Sequence, residues 1–344
     1  MRIVVDAFGS DAAPGPEVKG AVDASLLCRD EIILVGDEAE LNAQLARHPK
    51  RGNISVVPAT EKVTMTDSPK VAVRKKKDSS MLVGLRLVKE GKADGFISAG
   101  NTGAVMLGAR VVLGPILGVA RSAICQILPT TKQPVVVLDL GANVDCTARH
   151  LCEFAEMGHV FSKLALGVER PRVGLLSIGE EQVKGNVTTK SVHKYLTAAT
   201  HIHFIGNIEP KAIYNGHADV VVCDGFVGNV LLKTSEAVAS LMKTLVRREL
   251  EATILSRIGG LLSLGAFNRL KRTTDPNEQT GAPLLGVNGV VIILHGSCNS
   301  SAVKNGILGA RREVELGLND HIREGIAEFR GQVGEIPAEA ENAD

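Results

Sequence analysis

Seven polar, glycine-rich segments each follow directly on a short apolar run, and they contain most of the residues that could bind an anion. They occupy positions 6–11, 98–103, 139–145, 179–181, 206–209, 224–229 and 295–299. Glycine lets backbone amides approach a ligand, and a helix that begins in such a segment directs its free N–H groups and positive dipole end towards an anion. Each segment alone is also explained as a helix cap or turn. Seven of them at one sheet edge favour a pocket for phosphate or carboxylate.

The apolar runs that position these segments predict the scaffold. Ten runs rich in β-branched residues lie at 3–5, 32–35, 54–57, 95–97, 124–128, 135–138, 173–178, 202–205, 220–223 and 290–294. Most are continuous rather than alternating, which is typical of parallel strands buried on both faces. Helical patterns lie between them at 17–28, 79–90, 148–166 and 229–250. We therefore predict an α/β fold, an open and mostly parallel sheet sandwiched by helices, with ligands beyond the carboxyl ends of the strands.

The domain organisation follows from length and composition. The chain of 344 residues is long enough for a large buried core. We predict a single α/β domain over residues 1–330, long enough to divide into two lobes, and a flexible acidic tail over residues 331–344.

The helix predicted after Ala148 has a narrow seam of apolar and small residues. They are spaced three and four apart, as Leu151, Phe154, Gly158, Phe161 and Ala165. This spacing is typical of a helix packed on a sheet, and a contact between two subunits is the alternative.

Composition and missing motifs disfavour several classes of protein. The chain has 39 Lys and Arg against 38 Asp and Glu and contains no Trp, so neither charge nor stacking favours nucleic acid. The dinucleotide fingerprint, the P-loop, the His-Glu-x-x-His zinc motif and the Gly-x-Ser-x-Gly elbow are absent. Six cysteines form no Cys-x-x-Cys unit and are expected to be reduced. We expect a cytoplasmic protein, since no apolar stretch reaches the length of a membrane span. Because these motifs are absent, we expect neither a metal nor a cofactor.

The segment 241–272 differs from the rest of the chain, because apolar residues are interleaved there with Arg and Lys. We expect Gly259 and Gly260 to divide it into two helices. A large apolar face with basic flanks is typical of helices that lie in a membrane interface, and a helical hairpin packed on the protein or on a second subunit fits equally well. The residues expected to contact a membrane are Leu261, Leu262, Leu264 and Phe267, with Arg269, Lys271 and Arg272 beside them.

Taken together, the motifs resemble one enzyme family. They are SAGNTGA at 98–104, LDLGANVDC at 138–146, GEE at 179–181 with Lys184 and Gly185, CDGFVGN at 223–229, APLLG at 282–286 and HGS at 295–297. In this order they are similar to the bacterial phosphate acyltransferases of phospholipid synthesis, over residues 2 to about 310. The family usually has Asp-x-Met-Gly-Gly-Asp in the first loop, whereas this chain has Ser10 in place of the second glycine.

The resemblance implies a reaction, a fold and partners. The reaction is the transfer of an acyl group from long-chain acyl-[acyl-carrier protein] to inorganic phosphate, which releases the carrier protein and is the first step towards phosphatidic acid. The implied fold is that of phosphotransacetylases and isocitrate-type dehydrogenases, in a homodimer. The implied location is the cytoplasmic surface of the membrane, where acyl phosphate would pass to a membrane-bound glycerol-3-phosphate acyltransferase.

Candidate site residues are chosen by residue type and loop position. Lys184 is expected to be the cation that receives phosphate or the developing oxyanion, and Asn229 a neutral donor at the start of its helix. The walls of the phosphate and substrate site are expected to be Asp6, Gly100, Asn101, Thr102, Asn143, Asp145, Gly179, Glu180, Asp224, Gly225, His295 and Ser297. No side-chain base is needed, because phosphate is a dianion at neutral pH and a thiol with a pKa of about 8.5 is a good leaving group.

Three alternatives remain open at this point. A short-chain phosphotransacetylase using acyl-coenzyme A would catalyse the same exchange, and the long amphipathic segment argues against it. A non-catalytic membrane scaffold would not need the polar loops. An isocitrate-type dehydrogenase would need a metal-binding aspartate cluster and a nucleotide loop, neither of which can be located in the sequence.

Overall fold

The computed structural model describes residues 1–274 and 280–337, except for the side chains of residue 268 and residues 271–274. A seven-stranded sheet contains β1 (Arg2–Asp6), β2 (Glu31–Gly36), β3 (Ile54–Pro58), β4 (Gly95–Ser98), β5 (Ala123–Ile124), β11 (Ala282–Leu285) and β12 (Val290–Ile293). Their order in the sheet is β3-β2-β1-β4-β12-β11-β5. The first five strands in this order are parallel, and β11 is antiparallel to both of its neighbours.

A second sheet of five strands contains β6 (Gln126–Leu128), β7 (Val135–Leu138), β8 (Arg172–Leu176), β9 (His203–Ile208) and β10 (Val220–Val222). Their order is β6-β7-β10-β8-β9, and only the β6–β7 pair is antiparallel. The mostly parallel α/β fold is confirmed, but the strands form two sheets instead of one.

Thirteen helices lie between the strands within the described part of the chain. They are α1 (Gly15–Ser25), α2 (Glu38–Leu45), α3 (Pro69–Lys75), α4 (Ser80–Lys89), α5 (Thr102–Val112), α6 (Ala148–Ala165), α7 (Val187–Ala198), α8 (Pro210–Tyr214), α9 (Gly225–Glu251), α10 (Ile254–Leu262), α11 (Leu264–Thr274), α12 (Ser300–Glu315) and α13 (Leu318–Val333). The helix α13 extends three residues into the segment expected to be a tail, and residues 338–344 lie outside the described part.

The continuous apolar strands are buried from both sides. In β1, Val4 packs into one apolar core, and Ile3 and Val5 pack into another on the opposite face. In β7, Val136 and Leu138 face a third core, to which α6 and α13 contribute. Because neighbouring residues of a strand point to opposite faces, a strand covered by helices on both sides must be apolar at every position.

The run 124–128 forms two strands, where the sequence predicts one. Ile124 pairs with Leu284 in the seven-stranded sheet, and Ile127 pairs with Val136 in the five-stranded sheet. The chain therefore crosses from one sheet to the other at Cys125. An apolar run does not indicate which partner each half will pair with.

The apolar seam of α6 is internal packing. Leu151, Phe154 and Phe161 are at most 3% exposed and lie in one core with residues of α13, including Ile322 and Phe329. The alternative of a subunit contact along this seam is therefore not needed, since α13 of the same chain covers it.

The break predicted at Gly259 and Gly260 is wrong. Both glycines lie inside α10, which begins after its capping residue Thr253 and ends before Ser263. Only Gly225 and Gly228 are buried in α9, and no residue of α10 is buried. Glycine in a helix costs about 1 kcal/mol relative to alanine but does not end the helix by itself. No helix in the described part of the chain has the length and apolarity needed to cross a bilayer.

Candidate active site

At the carboxyl edge of the seven-stranded sheet, Asp6 connects three loops. Its side chain is buried, and its two carboxylate oxygens accept hydrogen bonds from Ser80 Oγ at 2.6 Å and Ser98 Oγ at 2.7 Å. Ser98 Oγ in turn accepts from Gly100 N at 3.0 Å. Burial raises the pKa of Asp6, and the two serine hydroxyls oppose that rise. Asp6 therefore positions the loops, and its oxygens are not open to a ligand.

The loops after β1, β4 and β12 contact one another directly. A Cβ at Gly9 would lie 2.7 Å from Gly100 N, so this close approach requires glycine. Asp11 N donates to Gly296 O at 2.9 Å. The backbone N–H of Ser10 donates to the buried Glu17 Oε1 at 3.0 Å, which joins this loop to α1.

Asn101 caps α5 and Thr102 is its first residue, and their side chains differ in whether they are available to bind a ligand. Asn101 Oδ1 accepts from Ala104 N, and its Nδ2 donates to Met65 O and Asp67 O, each at 3.0 Å. The amide of Asn101 is therefore occupied in capping the helix and holding the neighbouring loop. Thr102 is exposed, and its hydroxyl has no hydrogen-bond partner in the ranges described here.

His295 and Ser297 form an exposed turn after β12. Ser297 N donates to His295 Nδ1 at 3.2 Å, and Ser297 Oγ lies 2.8 Å from the same nitrogen. Because a backbone N–H can only donate, Nδ1 is an acceptor and the neutral ring carries its proton on Nε2.

At the carboxyl edge of the five-stranded sheet, Asp139 organises the loop after β7. It is fully buried, and its oxygens accept from Ile124 N, Gly141 N, Ala142 N and Asn143 N at 2.7–3.3 Å. Burial raises the pKa of Asp139, and these hydrogen bonds oppose the rise. Sequence reasoning quoted Asp139 within its motif but did not select it, although an aspartate that directly precedes a glycine loop was the available signal.

Asn143 links this loop to the start of α9. Its Nδ2 donates to Asp139 Oδ2 at 2.9 Å and to Ser122 O at 2.8 Å, and its carbonyl accepts from Gly225 N at 2.8 Å. Both amide hydrogens of Asn143 are used inside the protein, so the side chain positions the site and does not donate to a ligand.

The start of α9 packs tightly on the same loop. A Cβ at Gly225 would lie 2.6 Å from Asn143 O, and one at Gly228 would overlap Asp139 O. Asp224 caps the helix, since its Oδ1 accepts from Val227 N at 2.8 Å. The two glycines of the segment 224–229 therefore exist for close approach to the backbone.

Asn229 lies one turn further into the helix than the sequence predicts. The helix begins at Gly225, so Asn229 is in its second turn. Its side chain is exposed and makes no hydrogen bond in the described part of the chain, and a Cβ at Gly141 would lie 3.6 Å from Asn229 Cβ. The prediction that Asn229 starts the helix is wrong, but its amide remains free to donate beside the loop after β7.

A cavity of about 180 Å³ lies between the first turn of α7 and the start of α9. Its lining residues are Val144, Asp145, Cys146, Leu151, Asn186, Thr188, Thr189 and Asp224. Asp145 and Asp224 were predicted as site residues. Asn186 and the two threonines were missed, although the Gly-Asn-x-Thr-Thr pattern at 185–189 is a readable helix start.

Lys184 lies in the loop that leads into α7, two residues before Asn186. Its side chain is exposed, and Nζ has no hydrogen-bond or ion-pair partner among the residues described. A Cβ at Gly179 would lie 3.1 Å from Lys184 Cγ, so the aliphatic part of the lysine passes over this buried glycine. Glu180 is exposed in the same loop.

Burial makes the two cysteines at this sheet edge, Cys146 and Cys223, poorly suited to act as nucleophiles. Burial raises the pKa of Cys146 to about 12, and nearby Asp139 adds to the rise. Burial also raises the pKa of Cys223 well above its ordinary value. Both are thiols at neutral pH, and a thiol is a far weaker nucleophile than a thiolate.

The predicted site residues thus form two groups, one at the edge of each sheet, whereas the sequence analysis expected all of them at a single sheet edge. Asp6, Gly100, Asn101, Thr102, His295 and Ser297 lie at the seven-stranded sheet, and Asn143, Asp145, Gly179, Glu180, Lys184, Asp224, Gly225 and Asn229 lie at the five-stranded sheet. Of the second group, Asp145 and Asp224 line the cavity. Lys184 and Asn229 lie in the adjoining segments, and their side chains have no hydrogen-bond partner among the described residues.

Comparison with known proteins gives concordant results. The model of a family described as "Fatty acid synthesis protein" matches residues 1–321. A phosphate acyltransferase from Acidobacterium capsulatum is 47% identical over 330 residues, which cover 94% of this chain and 97% of the relative. One from Halothermothrix orenii is 47% identical over 329 residues, which cover 95% and 98%.

Solved structures are similar at the level of the fold. The EutD phosphotransacetylase from Staphylococcus aureus matches with a TM-score of 0.57 at 20% identity, covering 91% of this chain and 94% of that one. A phosphotransacetylase from Streptococcus pyogenes matches with a TM-score of 0.58 at 20% identity, covering 92% and 94%. The family match and the two relatives together establish that this chain belongs to the phosphate acyltransferase family of fatty acid synthesis proteins.

Proposed function

We propose that the protein transfers the acyl group of a long-chain acyl-[acyl-carrier protein] to inorganic phosphate. The products are acyl phosphate and free carrier protein, and the reaction is the first step towards phosphatidic acid. The observation that supports this most strongly is the cavity between the N-terminal ends of α7 and α9. Lys184, in the loop that enters α7, has no ion-pair partner in the part of the chain that the structure describes.

The distribution of charge around the cavity supports the binding of phosphate at the end of the cavity next to α7. Each helix N-terminus contributes about half a positive charge, and Lys184 adds one full charge in the same loop. Asp145 and Asp224 line the cavity as well, and Asp224 already accepts a hydrogen bond from its own helix. Repulsion by these two carboxylates directs a phosphate dianion away from them and towards Lys184 and Asn186.

The proposed chemistry is direct displacement at the thioester. A phosphate oxygen attacks the thioester carbon, the C–O bond forms, and the C–S bond breaks as the carrier thiolate leaves. Lys184 holds the phosphate, and Asn229 donates to the oxyanion of the tetrahedral intermediate. Orientation of two reactants supplies about 7–11 kcal/mol, and one oxyanion donor supplies about 3–4 kcal/mol. An acyl-cysteine intermediate is not part of the scheme, because the Cys146 thiol has a pKa of about 12.

The remaining walls of the site divide by their availability. Thr102, His295 and Ser297 are exposed at the other sheet edge and are proposed to contact substrate, together with the backbone at Gly100, Gly179 and Gly225. Asp6, Asn101 and Asn143 are proposed to hold these loops in place through the hydrogen bonds given above. Asp145 and Glu180 are exposed and are proposed to limit where the anion can lie.

Peripheral membrane association and a homodimer complete the proposal. Leu255, Leu261 and Leu262 of α10 are 66–84% exposed, which supports insertion of this helix into a membrane interface. Val238 and Leu241 of α9 are more than half exposed, which supports cover by a second copy. Leu264 is half exposed and Phe267 is partly exposed, whereas the side chains of Lys271 and Arg272 lie outside the described part. A membrane-bound glycerol-3-phosphate acyltransferase is the proposed recipient of the product.

The test is incubation of the purified protein with inorganic phosphate and long-chain acyl-[acyl-carrier protein], with the acid anhydride trapped by hydroxylamine. We expect hydroxamate that depends on phosphate. A parallel reaction with short-chain acyl-coenzyme A serves as the comparison. Product from the coenzyme A substrate alone would identify a phosphotransacetylase, and no product from either substrate would favour the non-catalytic scaffold.

A further inference from the structure

A buried asparagine below the loop of Lys184 is not accounted for by the chemistry proposed above. Asn207 is 5% exposed, and its Nδ2 donates to Glu181 O at 3.0 Å. The same carbonyl accepts from Lys184 N at 3.0 Å. Because the acceptor is a carbonyl oxygen, only the NH₂ side of the Asn207 amide can serve, so its orientation is defined. One carbonyl thus joins Asn207 to the backbone of Lys184.

A β-bulge directs Asn207 towards this loop. In the pairing of β8 with β9, Val173 lies opposite Phe204 and Gly174 lies opposite Gly206, so Ile205 is an extra residue. Gly206 has a φ of +91°, a conformation that favours glycine. Without the extra residue, Asn207 would point to the other face of the sheet, since side chains alternate along a strand.

The face that Asn207 shares is the face of α7. Asn207 lies opposite Leu175, which packs in the same core as Val192 and Leu196 of α7. The loop of Lys184 leads directly into this helix. The bulge therefore places the Asn207 amide on the face of the sheet that α7 covers, where it reaches Glu181.

Two buried polar atoms below the loop have no hydrogen-bond partner among the described residues, so this arrangement costs stability. Asn207 Oδ1 and Ser177 Oγ are both buried, and neither has a hydrogen bond in the described part of the chain. Ser177 Oγ lies 3.1 Å from the position of a Cβ on Gly185, directly under the loop. An unpaired buried polar atom is destabilising, and such atoms concentrate where function requires a particular geometry.

We propose that Asn207 is a positioning residue for Lys184: by binding Glu181 O it holds the loop 179–185 so that the lysine stands beside the cavity. Asn207 does not touch substrate. Its effect on the reaction passes through Lys184, so this inference rests on the proposed function of that residue.

The test is a double-mutant cycle between Asn207→Ala and Lys184→Ala. We expect Asn207→Ala to lower kcat/KM for phosphate about tenfold, mainly through KM, as loss of one hydrogen bond to the loop implies. Added to Lys184→Ala, it should change the rate by less than about twofold, because the group it positions is already gone. Asn207→Asp keeps the size of the side chain but places an oxygen against Glu181 O, and it should be impaired at least as much.

A matched control separates this role from general stability. Asn319 lies on α13, and its Nδ2 donates to a loop carbonyl, Val287 O, at 3.1 Å. Asn319→Ala should lower the Tm about as much as Asn207→Ala but leave KM for phosphate unchanged. Equal kinetic behaviour of the two variants, or full additivity of Asn207→Ala with Lys184→Ala, would overturn the proposal.

A second readout does not depend on activity. Trypsin cleaves after Lys184, and the fragment that ends there can be followed by mass spectrometry. We expect Asn207→Ala and Asn207→Asp to accelerate this cleavage about tenfold, since release of the loop raises the population of its open form. An unchanged cleavage rate would refute the positioning role even if the protein forms no acyl phosphate. Faster cleavage in a protein without that activity would instead place the failure in the proposed function.

Discussion

His201 forms a partly buried contact with Glu156 and Gln332, and its removal should destabilise the protein in a pH-dependent way. His201 Nε2 lies 2.7 Å from Glu156 Oε2 on α6, and Nδ1 lies 3.1 Å from Gln332 Oε1 on α13. Gln332 Oε1 also accepts from Thr200 N at 2.9 Å, which identifies it as an oxygen. Each ring nitrogen thus faces an oxygen acceptor, and this arrangement favours the imidazolium form of the ring.

The sign of the pH dependence follows from the direction of the pKa shift. The hydrogen bond to Glu156 raises the pKa of His201, burial opposes the rise, and the charges of Glu156 and Glu328 add to it. A raised pKa means that the folded state binds the proton more tightly than the unfolded state. The stabilisation is thus fully present below the unfolded pKa of about 6.5, and it is lost as the pH rises through the folded pKa.

The magnitude depends on Glu156, which is only 1% exposed. His201→Gln leaves this carboxylate buried without its cation, which costs about 3 kcal/mol. That corresponds to a fall in Tm of about 4 °C for a chain of this size. The expected loss is full at about pH 5.5 and smaller at about pH 9, because the parent protein itself loses the charge of His201 there.

The assay is urea unfolding followed by circular dichroism, since the chain has no Trp to report by fluorescence. The control is His321→Gln, which removes a half-exposed histidine from α13, and it should show the same small effect at both pH values. A difference between parent and His201→Gln that does not change with pH would refute the charged contact.

Three further predictions concern function. Lys184→Ala should lower turnover by about two orders of magnitude or more with an unchanged Tm. Asn229→Ala should have a smaller effect, because a charged donor interacts more strongly with an anion than a neutral one does. Turnover of Lys184→Ala within about threefold of the parent would contradict the role given to this residue. Charge reversal in the basic segment 74–77, or at Arg247 and Arg248, should weaken use of the acidic carrier protein and reduce the salt dependence of KM. An unchanged salt dependence in both variants would place carrier docking elsewhere. Replacement of Leu261 and Leu262 by Glu should abolish sedimentation with anionic vesicles and spare activity on soluble substrate. Loss of the folded dimer in that variant would instead indicate that α10 packs against a second subunit.

Local sequence predicted most strands within one or two residues, because a run of β-branched residues between glycines is a local signal. It did not predict that the run 124–128 would divide at Cys125 between two sheets. It also assigned a helix break to Gly259 and Gly260, where the structure has a continuous helix. Strand pairing and helix continuity depend on neighbours that are distant in the sequence.

The candidate site shows the same division. The sequence indicates where the polar loops lie. Residue type alone does not show which residues in those loops can bind a ligand. Asp6, Asn101 and Asn143 have the chemistry of ligand-binding residues, yet their polar atoms are occupied by other parts of the chain. Asn207 lies in the polar segment 206–209, and its contact with Glu181 depends on a bulge that no local pattern indicates.

The sequence by itself determined the family, most of the strands and the polar segments that end them, because each of these depends on contiguous residues. The tertiary structure alone decided which segments meet and which polar groups remain free. Asp6 and Ser98 are 92 positions apart, and Asp139 and the backbone of Ile124 are 15 apart, but each pair forms a buried hydrogen bond. A side chain can bind a ligand only if its donors and acceptors are not already paired, and pairing is a property of distances in the folded chain.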